Sequence, residues 1–122
     1  MTYFIMEASP KTKKINELVA DSLTEVLHAL STHSAVAWVR RQITGAAKFG
    51  GRFIKFGWAG CSDLLDMMKD CRLLAVECKR TESGQLSNDQ ANFITMVKQF
   101  GGCAFVATSA LDVFVNLEAG HD

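Results

Sequence analysis

The chain has 122 residues, 48% hydrophobic and 21% charged, with a formal net charge of zero. This length suits a single domain spanning residues 1–122, with its core over about 11–117, large enough to bury roughly two thirds of its unfolded surface without disulfides or a structural metal. Zero net charge argues against a generic polyanion binder, and no apolar run approaches the ~20 residues of a membrane span.

The N-terminus lacks the basic-then-apolar pattern of a signal peptide, so the expected compartment is the cytoplasm. The cysteines Cys61, Cys71, Cys78 and Cys103 form no Cys-x-x-Cys pair and have no histidine at zinc-finger spacing. They read as reduced thiols that pack as small hydrophobes.

Along the chain, Ser9-Pro10 is a helix entry. From Lys11 to Leu30, Ile15, Leu18, Val19, Leu23, Val26, Leu27 and Leu30 recur at three- and four-residue spacing, which predicts one amphipathic helix. Of its acids Glu17, Asp21 and Glu25, most should face water; Glu25 lies nearest the edge of the apolar stripe and could reach into a cleft. After a polar break, Ala35 to Arg40 reads as a short, largely buried strand with Trp38 in the core. Thr44 to Gly51 reads as a flexible small-residue loop without the Gly-Lys-Ser/Thr ending of a nucleotide cradle. Arg52 to Trp58 alternates basic with apolar in part, as expected for a strand with one wet, positive side.

The charge distribution is uneven. From Val26 to Ser62 there is no Asp or Glu, while Arg40, Arg41, Lys48, Arg52 and Lys55 all fall in that stretch. Such a block attracts a polyanion whatever the net charge; a solvated loop is the alternative. With Arg80, these residues are candidate contacts to a nucleic-acid backbone, which position a strand without reading its sequence. Trp58 could stack on bases.

Asp63 to Met68 and Arg72 to Lys79 read as two strands joined by the tight turn Lys69-Asp70-Cys71, hence antiparallel neighbours. Residues two apart on a strand share a face, so Glu77 and Lys79 point the same way, and the hairpin returns Asp63 beside them. Two carboxylates and one ammonium at one sheet edge suit a divalent cation and a phosphate, and hard oxygen ligands favour Mg²⁺ or Mn²⁺. The alternative is a surface ion pair with Asp63 capping a turn. Ser87-Asn88-Asp89-Gln90 has the capping-box form, opening a helix with Phe93, Ile94, Val97 and Phe100 on one side and Gly101-Gly102 at its end. Cys103 to Thr108 is a buried strand reached by a parallel crossover, and Ser109 to Leu117 a final helix. The predicted fold class is α/β, a small mixed β-sheet flanked by helices.

Several of these stretches together resemble a known family. Gly60-Cys61-Ser62-Asp63-Leu64, Arg72 to Lys79 with its Glu77-Cys78-Lys79 ending, Gly84-Gln85-Leu86-Ser87 with Gln90, and Phe100-Gly101-Gly102 with Ala104 and Val106 look like the VRR-NUC (virus-type replication-repair nuclease) branch of the PD-(D/E)XK nucleases. Arg41 with Thr44-Gly45, and Arg52 with Phe56-Gly57, resemble the segment preceding this motif in stand-alone phage and bacterial members. The resemblance covers about residues 36 to 115; each piece is weak alone, and their order and spacing carry it. Ser62 stands where many relatives have proline, and Cys71 replaces the glycine of a common Gly-Arg turn.

The resemblance implies a restriction-endonuclease-like core and a metal-dependent DNA endonuclease of phage or bacterial replication and repair. Asp63, Glu77 and the backbone carbonyl of Cys78 would hold Mg²⁺, with Mn²⁺ able to substitute. Lys79 would contact the phosphate or the attacking water, and Gln90 would lie near the catalytic edge unless it serves only its helix cap. Glu25, with Glu17 and Asp21 as alternatives, would be the acid from the first helix. Stand-alone members resemble four-way-junction resolvases acting as homodimers, so branched or junction DNA is the expected substrate and a homodimer the expected state. The alternatives are a non-catalytic nucleic-acid-binding module that retains the fold, and a structural domain whose charges form a satisfied ion cluster.

Overall fold

The computed structural model describes residues 10–43, 45–79 and 85–119, with side chains from residue 21 to 118. It is a mixed α/β fold with three helices: α1 (Pro10–Thr32), α2 (Asn88–Gln99) and α3 (Ala110–Ala119). The strands are β1 (Val36–Arg41), β2 (Gly45–Phe49), β3 (Arg52–Phe56), β4 (Leu64–Met68), β5 (Leu73–Cys78) and β6 (Cys103–Ala107). The main sheet has the order β1-β4-β5-β6, with β1, β4 and β5 antiparallel in turn and β5 parallel to β6. The crossover through α2 supplies the parallel step, as the strand–helix–strand order predicts. No helix among the described residues is long and apolar enough to cross a membrane.

Helices cover both faces of this sheet. On one side Leu23, Val26 and Leu30 of α1, with Val113 and Leu117 of α3, pack on Leu64, Leu74, Val76 and Cys78. On the other, Phe93, Ile94 and Val97 of α2 pack on Ala75 and Ala104. β5 lies between β4 and β6 with helices over both its faces, and from Leu74 to Cys78 every residue is buried. A strand covered on both faces reads as a continuous apolar run, which is how Leu73 to Val76 reads. Each fully buried Leu or Val contributes about 1.5–3 kcal/mol through area removed from water, so this strand is the mechanical anchor of the domain.

Two expectations change. The expected loop over Thr44 to Gly51, of which Thr44 lies outside the described residues, is not a flexible loop from 45 onward: Gly45–Phe49 forms β2, which pairs antiparallel with β3 in a separate two-stranded sheet. Gly50 and Gly51, at φ 54° and 81°, form the two-residue turn between Phe49 and Arg52. Tight hairpin turns need positive φ at both central positions, so here the glycine pair defines a structure. Trp38 is not core; it is 45% exposed, because β1 is an edge strand whose register slips between Val36 and Trp38. A slip of this kind turns an apolar side chain out of the face the sequence pattern assigns it. Cys71 adopts φ 73° in the β4–β5 turn, the left-handed region that suits glycine and costs other residues about 1–2 kcal/mol. Backbone bonds from Cys71 N to Met68 O and from Met68 N to Arg72 O hold it there.

Candidate metal and phosphate site at the end of strand β5

The short β4–β5 connection sets the register that builds the site. Leu64 pairs with Val76, so one step further Asp63 falls opposite Glu77. Both carboxylates are buried, at 2% and 0% exposure. Asp63 Oδ2 accepts a 2.8 Å hydrogen bond from Cys78 N, and its backbone carbonyl accepts from Gln42 N at 2.7 Å. The side chain is thus fixed to β5 and the main chain to the residue following β1.

Glu77 shares its face with Ala75, the side covered by α2, and α2 supplies its partner. Gln90 Nε2 donates to Glu77 Oε1 at 2.9 Å, while Gln90 Oε1 accepts from Lys79 Nζ at 3.2 Å and from Ser87 N at 2.9 Å. Ser87 Oγ in turn accepts from Gln90 N at 3.2 Å, completing the capping box. The cap and the polar cluster are therefore not alternatives; one amide does both. Lys79 Nζ lies 3.9 Å from Glu77 Oε1, with 17% of its side chain exposed, so the ammonium is tethered to the buried acid. Lys79 N donates to Ala107 O at 3.0 Å, locking the strand end to β6.

The loop entering Asp63 is held equally closely. Gly60 has φ 85°, and a Cβ there would sit 2.5 Å from the Asp89 carbonyl oxygen in the first turn of α2. Gly60→Ala should therefore lower stability by about 2–4 kcal/mol, the left-handed penalty plus an overpacking cost, as read by denaturant unfolding. An unchanged unfolding midpoint would mean that the loop does not need this close approach.

Cys61 and Cys78 pack in the interior as expected, and the exposed Cys71 does not. Cys61 and Cys78 are buried, Cys103 half-buried and Cys71 exposed, none in a disulfide. Burial first, and Asp63 second, push the Cys61 and Cys78 thiols up from their ordinary value, which disfavours the thiolate needed for a nucleophile or metal ligand. Arg41 acts in the opposite sense on Cys78, placing its guanidinium within electrostatic reach of the strand end.

The remaining predicted site residues are dispersed around this edge. Glu25 is exposed on α1, and its Oε1 accepts a 3.0 Å bond from Ala110 N, at the start of α3. A carboxylate there complements the helix dipole. Because α3 follows β6, which is parallel to β5, Glu25 lies toward the same end of the sheet as Glu77, with α1 and α3 on the face opposite α2. Asp21 is exposed; the Glu17 side chain and Arg80 lie outside the described residues. Arg40 and Arg41 are exposed at the end of β1, where Arg41 pairs with Leu64, and Lys48, Arg52 and Lys55 are exposed on the β2–β3 hairpin.

One buried acid went unassigned in the sequence. Asp66 is 0% exposed, and neither carboxylate oxygen has a hydrogen-bond partner among the described residues. Alternation along β4 puts it with Leu64 and Met68 on the face that packs on α1, and burial pushes its pKa up to about 8. The signal that could have found it is an acid at the centre of an otherwise apolar strand. Ser62 Oγ is buried and likewise without a partner.

Comparison with protein-family models, with curated proteins and with solved structures finds no match to this chain.

Proposed function

We propose that the chain is a metal-dependent DNA endonuclease of the PD-(D/E)XK type, with a restriction-endonuclease-like core and the VRR-NUC arrangement of site residues. The observation that carries this reading is the cluster itself: two buried carboxylates, Asp63 and Glu77, side by side at a strand end, with Lys79 tethered beside them by Gln90. Buried acids are costly unless paired or bound to a cation. The donor set fits a hard divalent ion, with Asp63, Glu77 and the Cys78 carbonyl as the groups that would hold Mg²⁺ or Mn²⁺. When bound, such an ion supplies Lewis-acid stabilisation at a phosphate and acidifies water.

The chain's own groups account for the rest. Lys79 presents a fixed positive charge to the scissile phosphate, and its cost of ordering is met before substrate arrives, because Gln90 and Glu77 already hold it. Gln90 keeps the Glu77 carboxylate oriented. Arg40 and Arg41, with the hairpin's Lys48, Arg52 and Lys55, give the backbone contacts that seat DNA across the site. A homodimer would present two such edges to the two strands of a four-way junction.

The test is cleavage of a labelled four-way junction beside a linear duplex of the same sequence, in Mg²⁺, Mn²⁺ or EDTA, with Asp63→Ala as control. Metal-dependent cutting of the junction alone supports the whole proposal. Cutting of both DNAs keeps the nuclease and discards the junction preference. Binding without cutting under any metal would make the chain a non-catalytic nucleic-acid-binding module.

A further inference from the structure

The β2–β3 hairpin is organised as if for a ligand of its own. Among the described residues it pairs with no strand of the main sheet, and it leaves the body beside the site: Gln42, just before it, is bonded to the Asp63 carbonyl, and the chain returns through Trp58, whose ring packs edge-on to Phe93 of α2. Lys48 stands directly opposite Phe53, and Ala46 opposite Lys55, so these four residues share one face. The other face is covered at its root, where Gly45 and Ala47 are buried and Phe56 is half-buried. On the first face Lys48 and Lys55 are exposed, and Phe53 is 68% exposed.

An exposed phenyl ring directly opposite one lysine and two residues along the strand from another matches one kind of ligand. Lys48 and Lys55 are diagonal neighbours, about 7–8 Å apart at their roots, a span that one nucleotide of an extended strand bridges. The ring offers a π-face to an unpaired base, and the lysines meet the phosphates on either side of it. Duplex DNA, whose bases are stacked on one another, has no free face to offer Phe53. Isologous pairing of this face with a second copy is disfavoured by charge, since Lys48 and Lys55 would meet their own copies and no acid lies between Val26 and Ser62 to offset them.

We infer that the Lys48–Phe53–Lys55 face of the hairpin binds single-stranded DNA, stacking an unpaired base on Phe53, and so directs the enzyme to DNA with unpaired nucleotides next to the cleavage site. This rests on the metal-dependent nuclease part of the proposed function and replaces a fully paired four-way junction, as substrate, with branched DNA that carries a single-stranded arm or gap.

The test is titration of a short single-stranded oligodeoxynucleotide and a matched duplex in EDTA, where nothing is cut, with wild type, Phe53→Ala, Phe53→Trp and Lys48→Ala. Phe53 is exposed, so its truncation spares the core. Phe53→Ala should weaken single-strand binding by about tenfold or more and duplex binding by less than about twofold. Phe53→Trp should restore binding, with added indole emission that is quenched by the oligonucleotide. Lys48→Ala should reduce the slope of log affinity against log salt by roughly 0.7, the contribution of one single-strand phosphate. Wild-type single-strand affinity in Phe53→Ala, or equal losses on both DNAs, overturns the inference. Conversion of a dimer to monomer by Phe53→Ala in sedimentation also overturns it, by making this face a self-interface. If the wild type cuts and binds duplex while single-strand binding ignores Phe53, only this inference falls; if it binds no DNA at all, the proposed function falls with it.

Discussion

Asp63→Asn should abolish metal-dependent cleavage while leaving both fold and DNA binding in place, and Asp63→Ala should lose cleavage and stability together. The difference comes from the two tasks of this carboxylate. One oxygen accepts the Cys78 N–H in the interior, and the negative charge is half of the candidate metal site. Asparagine keeps an acceptor for the amide and removes the charge. Alanine leaves a buried N–H without its partner, at a cost of about 1–3 kcal/mol.

The cleavage rate should fall on the order of a hundredfold or more in both variants, because the charge stabilisation supplied at the phosphate is worth several kcal/mol. Binding in EDTA should be unchanged or tighter in Asp63→Asn, since a negative charge next to a phosphate has gone. Mg²⁺ should raise the melting temperature of the wild type, as any ligand of the native state does, and that rise should vanish in Asp63→Asn. The measurements are single-turnover cleavage and thermal melting with and without Mg²⁺. Wild-type cutting by Asp63→Asn would remove Asp63 from the chemistry, and a cluster indifferent to Mg²⁺ in melting would be a structural ion group.

The parts of this architecture that were legible in the sequence are those fixed by local chemistry. The tight turn at Lys69-Asp70-Cys71 forces β4 and β5 into adjacency, and from that follows the meeting of Asp63 with Glu77. The Ser87–Gln90 capping box marks the start of α2, and period-two and period-3.6 patterns mark β5 and α1. What was not legible depends on which surfaces meet. The capping box gives Gln90 its cap; that the same amide reaches Glu77 and Lys79 depends on how α2 crosses β5. Glu25 bonds a residue 85 positions away, which no local pattern announces. Trp38 was misplaced because a register slip on an edge strand leaves no mark in the order of apolar residues. Gly50-Gly51 can be read as flexibility or as a tight turn, and the choice depends on the strands that flank it.

Asp66 gives the second large expected effect, on stability against pH. Its carboxyl is enclosed by the α1-facing core without a hydrogen-bond partner, and burial raises its pKa to about 8 from an ordinary value near 4. Below about pH 4 the group is protonated in both folded and unfolded chains, and its folded environment carries no charge penalty. Between about 4 and 8 the unfolded chain releases the proton while the folded one retains it, so stability falls as pH rises, by up to about 1.4 kcal/mol per pH unit from this group alone. Above about 8 both states are ionised and the loss levels off. Paired carboxylates act in the opposite sense, so the effect has to be read as a difference between wild type and a variant. Asp66→Leu, which matches its neighbours Leu64 and Leu74 on that face, should be more stable than wild type at pH 8. Its advantage should widen by on the order of 2–4 kcal/mol between pH 5 and pH 8 in urea unfolding. A difference independent of pH would mean that Asp66 ionises freely in the folded state. The consequence reaches the candidate site, because Asp63 directly precedes β4, the strand that carries Asp66. At alkaline pH its ionisation would destabilise the same strand that holds Asp63 against Cys78, and cleavage by the wild type should fall there while cleavage by Asp66→Leu persists.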